Sequence, residues 1–329
     1  MISLKIAVYE VDQTTKEIFL QRLSDYPLVM YERELNSENL CEDAQIICVQ
    51  IRTKLTSEIL GKFKNLKMIA TRSEGLDHID LNYCKEKQIK VTNCASYGSQ
   101  TIAEYTIGLM LCASRKIIDG ANRTKNWNFS ISDLQGIDLE NKTLGIIGTG
   151  KIGLKVIKIA KAFGMKIIAF DEYRKEYESK ILGFKYTQTL EELLNDSDII
   201  SIHIPSNEKT KHLINAKSLK EFKKGVVLIN TARGQVVESQ AILAGLNKEI
   251  FSKVALDVFE EESVINNKDS EVLAELKLEI IKQIINHPNA IVTNHNAFNT
   301  KQALERLALI SSKNIIEMEN EVKTSNSVC

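Results

Sequence analysis

Short runs of β-branched and aliphatic residues alternate along the chain with longer segments of helical period. The runs are Leu4 to Tyr9, Gln45 to Val49, Lys67 to Ala70, Thr143 to Ile147, Lys166 to Phe170, Asp198 to His203, Gly225 to Asn230, Val254 to Leu256 and Ala290 to Thr293. Several are continuously apolar, the pattern of strands covered on both faces, so parallel sheets with crossover helices are predicted. Glycine and proline are sparse and no repeat or low-complexity linker appears, which leaves the order of elements to define the domains. One boundary falls near Tyr97-Gly98-Ser99. Beyond it, Ile102 to Ile118 reads as a single helix apolar on nearly every face, as a helix between two layers or two domains would be. If the final helix, Lys301 to Glu317, packs back on the first domain, the chain crosses between domains twice.

A chain of 329 residues with 43% hydrophobic content exceeds one ordinary core, so two domains are expected. The 43 basic side chains match the 43 acidic ones. No net field recruits nucleic acid or an acidic membrane surface, and a small molecule is the expected partner. Six cysteines are scattered without a CxxC pair, which fits reduced thiols in a cytoplasmic chain. No zinc or other metal site is readable. No long apolar leader is present and no charge-free apolar run approaches about 18 residues, so the chain is expected to be neither exported nor membrane-spanning.

The clearest motif is the apolar run Thr143 to Ile147 leading into Gly148-Thr149-Gly150-Lys151-Ile152-Gly153 and a helical pattern from Leu154 to Phe163. In this setting Gly148 permits the tight turn, Gly150 lets backbone amides approach a pyrophosphate, and Gly153 lets helix and strand pack closely. The helix N-terminus then faces the anion. Gly164 is placed to cap the helix. The next run ends at Asp171, where an acid can accept hydrogen bonds from adenosine ribose hydroxyls and repel a 2′-phosphate, favouring NAD over NADP; Arg174 follows it closely and works against that preference.

Reducing a 2-keto acid requires a cation for the carboxylate, an acid to protonate the carbonyl oxygen, and a group to hold that acid. Arg233, His295 and Glu262 all follow predicted strand ends, where open α/β sheets place ligands. Arg233 has a rival reading as a surface arginine. Glu262 competes with Glu260 and Glu261, which also fit a solvated acidic run. Among the histidines, His78, His203, His212 and His287 read as structural or solvated.

The ordered blocks Thr71-Arg72-Ser73-Glu74-Gly75-Leu76-Asp77-His78-Ile79-Asp80, Ile102-Ala103-Glu104, the glycine turn, Ile204-Pro205 with Thr210 and His212-Leu213-Ile214-Asn215, Ile229-Asn230-Thr231-Ala232-Arg233-Gly234, Asp257-Val258-Phe259 with Glu262, and His287-Pro288-Asn289 leading to His295 resemble the D-2-hydroxyacid dehydrogenase family. Similarity extends from the N-terminal region to about Thr300, and the pattern is similar to that of D-lactate dehydrogenase-like members.

The resemblance implies an NAD-dependent enzyme with two doubly wound α/β domains. A Rossmann NAD-binding domain, residues 100–297, would be inserted into a flavodoxin-like substrate domain, residues 1–99 with 298–329. Arg233 would clamp the substrate carboxylate, His295 would be general acid and base, and Glu262 would hydrogen-bond His295 and favour its imidazolium. Asp257 would face the nicotinamide carboxamide. Ile204 and Pro205 would flank adenine and ribose, with Thr210, Thr231 and Ala232 also at the cofactor. The backbone at Glu74 and Gly75 would bind the substrate carboxylate, and closure between the domains would exclude water. A homodimer through the NAD domain is implied as well.

Tyr97 and Phe298 stand where the family places aromatic residues around substrate, which favours a small apolar pocket and the pyruvate/D-lactate pair; both rings equally suit core or hinge packing. Branched-chain, glyoxylate or hydroxypyruvate, and phosphorylated substrates are the other acyl classes. Asn294 and Asn296 flank His295 and Ser263 follows Glu262, each departing from the family pattern. Glu74 either selects a substrate bearing a cation or donor, or turns its carboxylate to solvent. The alternative class is a dinucleotide-sensing regulator resembling the C-terminal-binding-protein corepressors, which would require disordered tails; only twelve residues, most of them polar, follow Glu317.

Overall fold

The computed structural model describes residues 4–262, 279–319 and 326–328. By internal contacts the chain forms two compact units, residues 1–98 with 299–329, and residues 99–298.

In the first unit, β1 (Ile6–Val8), β2 (Leu28–Met30), β3 (Ile46–Val49), β4 (Met68–Thr71) and β5 (Lys90–Thr92) form a sheet in the order β2-β1-β3-β4-β5. Every pair is parallel, and the order is the flavodoxin-like one. β1, β3 and β4 are buried throughout, which is why they read as unbroken apolar runs. The edge strands β2 and β5 are three residues each and partly exposed, and the apolar pattern missed both. Helix α1 (Gln13–Arg22) begins at Asp12, whose side chain accepts from the Thr15 amide. The last helix (Lys301–Glu319) shares its cluster, Ala308 and Ile315 joining Phe19 and Leu23, and Arg22 Nε donates to Ser312 Oγ at 2.9 Å.

Buried charge knits the carboxyl ends of β1, β3 and β4. The Arg72 guanidinium donates to the carbonyls of Tyr9 at 2.8 Å and Glu10 at 2.6 Å. The buried Glu10 carboxylate accepts from the amides of Gln50 at 2.8 Å and Arg52 at 2.9 Å. Each charge is thereby hydrogen-bonded, as burial requires, and the Ser73–Gly75 turn leaves β4 from a braced end.

In the second unit, β6 (Thr143–Ile147), β7 (Lys166–Phe170), β8 (Lys185–Tyr186), β9 (Ile199–Ile202), β10 (Val226–Asn230), β11 (Phe251–Leu256) and β12 (Ala290–Val292) form a parallel sheet in the order β12-β11-β10-β9-β6-β7-β8. Strand order reverses between β6 and β9, the switch point at which doubly wound sheets open a crevice for ligands. One core cluster on this sheet gathers Leu144, Ile146, Val156, Ile157, Ile229 and Ala255 with Ala103, Ile107 and Met110 of the long helix Ser99–Arg115.

That helix differs from its sequence reading. Periodicity carried it through Ile118, but Lys116 takes a left-handed φ of +52° and a separate helix, Ile117–Lys125, follows. Ile117 and Ile118 lie 52% and 36% exposed. Their apolar character prolonged the pattern past the buried stretch, and no glycine or asparagine marks the αL residue that ends it.

Candidate active site

The glycine turn, Asp171, Ile204-Pro205, Arg233, Glu262 and His295 all follow the carboxyl ends of strands of the second sheet. At the switch point, Gly148 has φ +97°, and a Cβ there would lie 2.6 Å from the His203 carbonyl oxygen. A Cβ on Gly153 would stand 2.1 Å from the Gly148 oxygen, whereas one on Gly150 would meet nothing within 4 Å. Tight packing beneath the turn and open space above it make a cradle that fits a pyrophosphate, at the N-terminus of helix Lys151–Ala162.

Asp171 follows β7 and braces this cradle. Its Oδ2 accepts from the Thr149 amide at 2.6 Å and hydroxyl at 2.9 Å, and its Oδ1 from the Tyr173 amide at 2.8 Å. Across the switch point Ile204 and Pro205 follow β9, and Thr210 donates its hydroxyl to the Pro205 carbonyl at 2.7 Å, fixing that loop from within. The site therefore can hold a dinucleotide on its own residues.

The turn after β10 is held from both sides. Asn230 Nδ2 donates to the Arg233 carbonyl at 3.0 Å and its Oδ1 accepts from the Ala232 amide at 3.0 Å. Thr231 Oγ1 lies 2.8 Å from Thr106 Oγ1, tying the turn to helix Ser99–Arg115. A Cβ on Gly234 would stand 2.1 Å from the Phe259 carbonyl carbon and oxygen, so this turn presses on the segment after β11. Arg233 is half-buried, with Nη1 donating to the Ala232 carbonyl at 2.8 Å.

The segments after β11 and β12 meet. Asp257, fully buried, accepts from Thr293 Oγ1 at 2.5 Å and from the amides of Asn296 and Ala297, each at 2.9 Å. The His295 amide donates to the Asp257 carbonyl at 3.0 Å, and His295 takes a left-handed φ of +53°. Asp257 thus forms the floor on which the His295 loop stands. His295 Nδ1 is hydrogen-bonded to Glu262 Oε1, and the Phe298 ring stands edge-on to the imidazole, centroids 6.2 Å apart.

The acidic run resolves into three partners: Glu262 meets His295, Glu260 meets His212 Nε2 at 2.5 Å, and Glu261 accepts from Ser239 Oγ at 2.8 Å. The remaining histidines have local bonds, His78 with Thr71 at 3.0 Å, His203 with Ser201 at 2.9 Å and His287 with the Asn289 amide at 3.1 Å. Thr106, Thr149, Asn230 and Tyr186, whose hydroxyl lies 2.8 Å from Thr149 Oγ1, were missed by the sequence reading. Nothing in their local pattern separates them from ordinary core or edge polar residues. Ser263 lies outside the described residues.

In the first unit, Ser73 Oγ donates to the Gly75 carbonyl at 2.7 Å and Asn93 Nδ2 to the Glu74 carbonyl at 2.8 Å. The Glu74 side chain is exposed. Tyr97 is buried, its carbonyl receiving Arg306 Nε at 2.6 Å. Among the described residues no group of three or more His, Cys, Asp or Glu is placed to hold a metal ion.

The family model for the NAD binding domain of D-isomer specific 2-hydroxyacid dehydrogenases matches residues 107–297. The D-lactate dehydrogenase of Escherichia coli is 31% identical over 96% of this chain and 97% of its own. An aromatic 2-oxoacid reductase of Clostridium sporogenes is 37% identical over 80% of this chain and 79% of its own. The crystal structure of D-lactate dehydrogenase from Aquifex aeolicus, complexed with NAD and lactic acid, superposes with a TM-score of 0.86 at 36% identity, covering 96% of each chain. Matches over most of the chain at this identity carry more than the fold, and the chain belongs to the D-isomer specific 2-hydroxyacid dehydrogenase family, NAD-dependent oxidoreductases acting on the CH–OH group.

Proposed function

We propose that this dehydrogenase interconverts pyruvate and D-lactate, with Arg233, Glu262 and His295 as its catalytic group. The observation that carries the reading is the His295–Glu262 hydrogen bond on the sheet whose glycine turn fits the dinucleotide. NAD, when bound, supplies or accepts the hydride. Arg233 binds the substrate carboxylate through its guanidinium fork. His295 donates a proton to the carbonyl oxygen in reduction and takes it back in oxidation, and Glu262 holds the ring through Nδ1. Asp257 holds the His295 loop and bounds the nicotinamide side of the site.

Gly148, Gly150, Lys151, Ile152 and Gly153 serve the pyrophosphate, Asp171 the adenosine ribose, and Ile204, Pro205, Thr210, Thr231 and Ala232 the rest of the cofactor. The Glu74–Gly75 turn binds the substrate carboxylate by its backbone, the exposed Glu74 side chain favouring the solvent-facing of its two readings. Phe298, edge-on to the His295 imidazole, bounds the acyl group of the substrate. The unit of residues 1–98 with 299–329 acts as a substrate domain and the unit of residues 99–298 as an NAD domain.

A homodimer is part of the same proposal. It is supported by Trp127, Phe129 and Ile131, 87%, 71% and 86% exposed on the segment after helix Ile117–Lys125, the first two with their rings edge-on at 6.5 Å. A cytoplasmic setting is supported by the five free cysteines among the described residues, and no described helix is long and apolar enough to cross a membrane.

The test is NADH oxidation against 2-keto acids from pyruvate and hydroxypyruvate to 2-ketoisocaproate and phenylpyruvate. Pyruvate should give the highest kcat/KM, and Arg233→Lys should lower it by about 10- to 100-fold, because an ammonium cannot reproduce the bidentate clamp. A preference for phenylpyruvate would overturn the substrate assignment, and an unaffected Arg233→Lys variant would overturn the clamp.

A further inference from the structure

Arg174 follows Asp171 by three positions and carries the charge that a 2′-phosphate would seek, yet it is engaged elsewhere. Its guanidinium lies over the Tyr186 ring, 5.5 Å from the centroid. Its Nη2 donates to the Thr187 carbonyl at 2.8 Å and to Gln188 Oε1 at 3.3 Å. Tyr186 is itself fixed. Phe184 packs edge-on against its ring at 5.2 Å, and its hydroxyl accepts from the Lys175 amide at 2.9 Å. That hydroxyl lies 2.8 Å from Thr149 Oγ1, which donates to Asp171 at 2.9 Å. One tyrosine therefore joins the glycine turn, the acid after β7 and the loop that carries Arg174. A neighbouring cation, Lys209, is paired with Glu172 at 3.1 Å.

We propose that Tyr186 is a cofactor-specificity residue: its ring, with the Thr187 carbonyl, docks Arg174, so that a 2′-phosphorylated dinucleotide meets Asp171 without the arginine as counter-charge. The proposal rests on the reading that Asp171 holds the adenosine ribose. Selectivity then has two parts, repulsion by the carboxylate and withholding of the guanidinium. Cation–π docking of an exposed arginine is modest in strength, so removing the ring releases Arg174 for a charge-assisted contact with phosphate.

The test is calorimetric binding of ADP-ribose and 2′-phospho-ADP-ribose, which needs no turnover. Tyr186→Leu should shift the affinity ratio toward the phosphorylated ligand by about three- to tenfold, and Arg174→Ala added to it should cancel the shift. Tyr186→Phe, which keeps the ring, should shift the ratio by less than about twofold. Arg174→Ala alone, an exposed change that leaves folding intact, should leave the ratio unaltered. The proposal is overturned if Tyr186→Leu leaves the ratio where it was, if Tyr186→Phe shifts it equally, or if Arg174→Ala alone weakens the phosphorylated ligand. Asp171→Ala tests the underlying reading separately: an unchanged ratio in that variant removes the ribose assignment, whatever Tyr186 does.

Discussion

At the scale of single residues, position on a strand end and partner in space answer different questions. Arg233 and His295 were legible as candidates because each follows a predicted strand, and strand ends are few; Glu262 was singled out only through the family pattern. Which of Glu260, Glu261 and Glu262 faces His295 was not legible from the residues, since an acidic run has no period. Only the packing of the segments after β11 and β12 gives each carboxylate its partner. The bonds made by Asn230 and Asp257 were hidden for the same reason, each being an ordinary polar residue until the turn it holds is closed.

His203 yields a pH prediction at this scale. Burial lowers its pKa from the ordinary 6.5 to about 3. The folded chain holds the neutral ring, so below pH 6.5 the unfolded chain binds a proton that the folded chain does not. His203 therefore destabilises the fold progressively as pH falls from 6.5 toward 3, and contributes no pH dependence above that window. Replacing it by Gln should flatten the fall of Tm with pH across the same interval. An unchanged slope in thermal melts would show that His203 has no part in it.

At the scale of elements, the strands buried on both faces were read almost to the residue, β6 and β10 among them, because continuous apolar runs have one explanation in a parallel sheet. β2, β5 and β8, edge strands of two or three residues, escaped because so short a run carries little pattern, whereas the equally short edge strand β12 was read because Thr293 prolongs its β-branched and aliphatic run. The glycine turn was legible as strand, turn and helix in register, and Gly164 does cap the helix with φ +73°. Its packing gives a direct prediction. Gly153→Ala puts a methyl 2.1 Å from the Gly148 oxygen, so helix and turn must separate at a cost of about 1–3 kcal/mol. NADH affinity by fluorescence titration and Tm should fall together; a variant with native values of both would show that the close packing is dispensable.

At the scale of the whole molecule, the sequence carried the number of domains and their α/β class, since length, parallel-strand pattern and crossover spacing agree. It did not carry the break at Lys116 or the exposed apolar segment beyond it. Trp127, Phe129 and Ile131 resemble core residues in a pattern and become a surface only in three dimensions. If that surface joins two copies, Trp127→Ser with Ile131→Ser should convert a dimer to a monomer in sedimentation velocity, leaving the far-UV spectrum intact. A variant that sediments as the parent does would place the interface elsewhere, or show that none exists.

The most direct test of the account is the rate of pyruvate reduction by the His295→Ala protein, followed by NADH absorbance, with NADH binding measured on the same sample. Native NADH affinity and a kcat lower by about 10²–10⁴-fold are expected. A kcat near the parent value, with NADH bound normally, would contradict the account, because the proton would then come from a group other than His295.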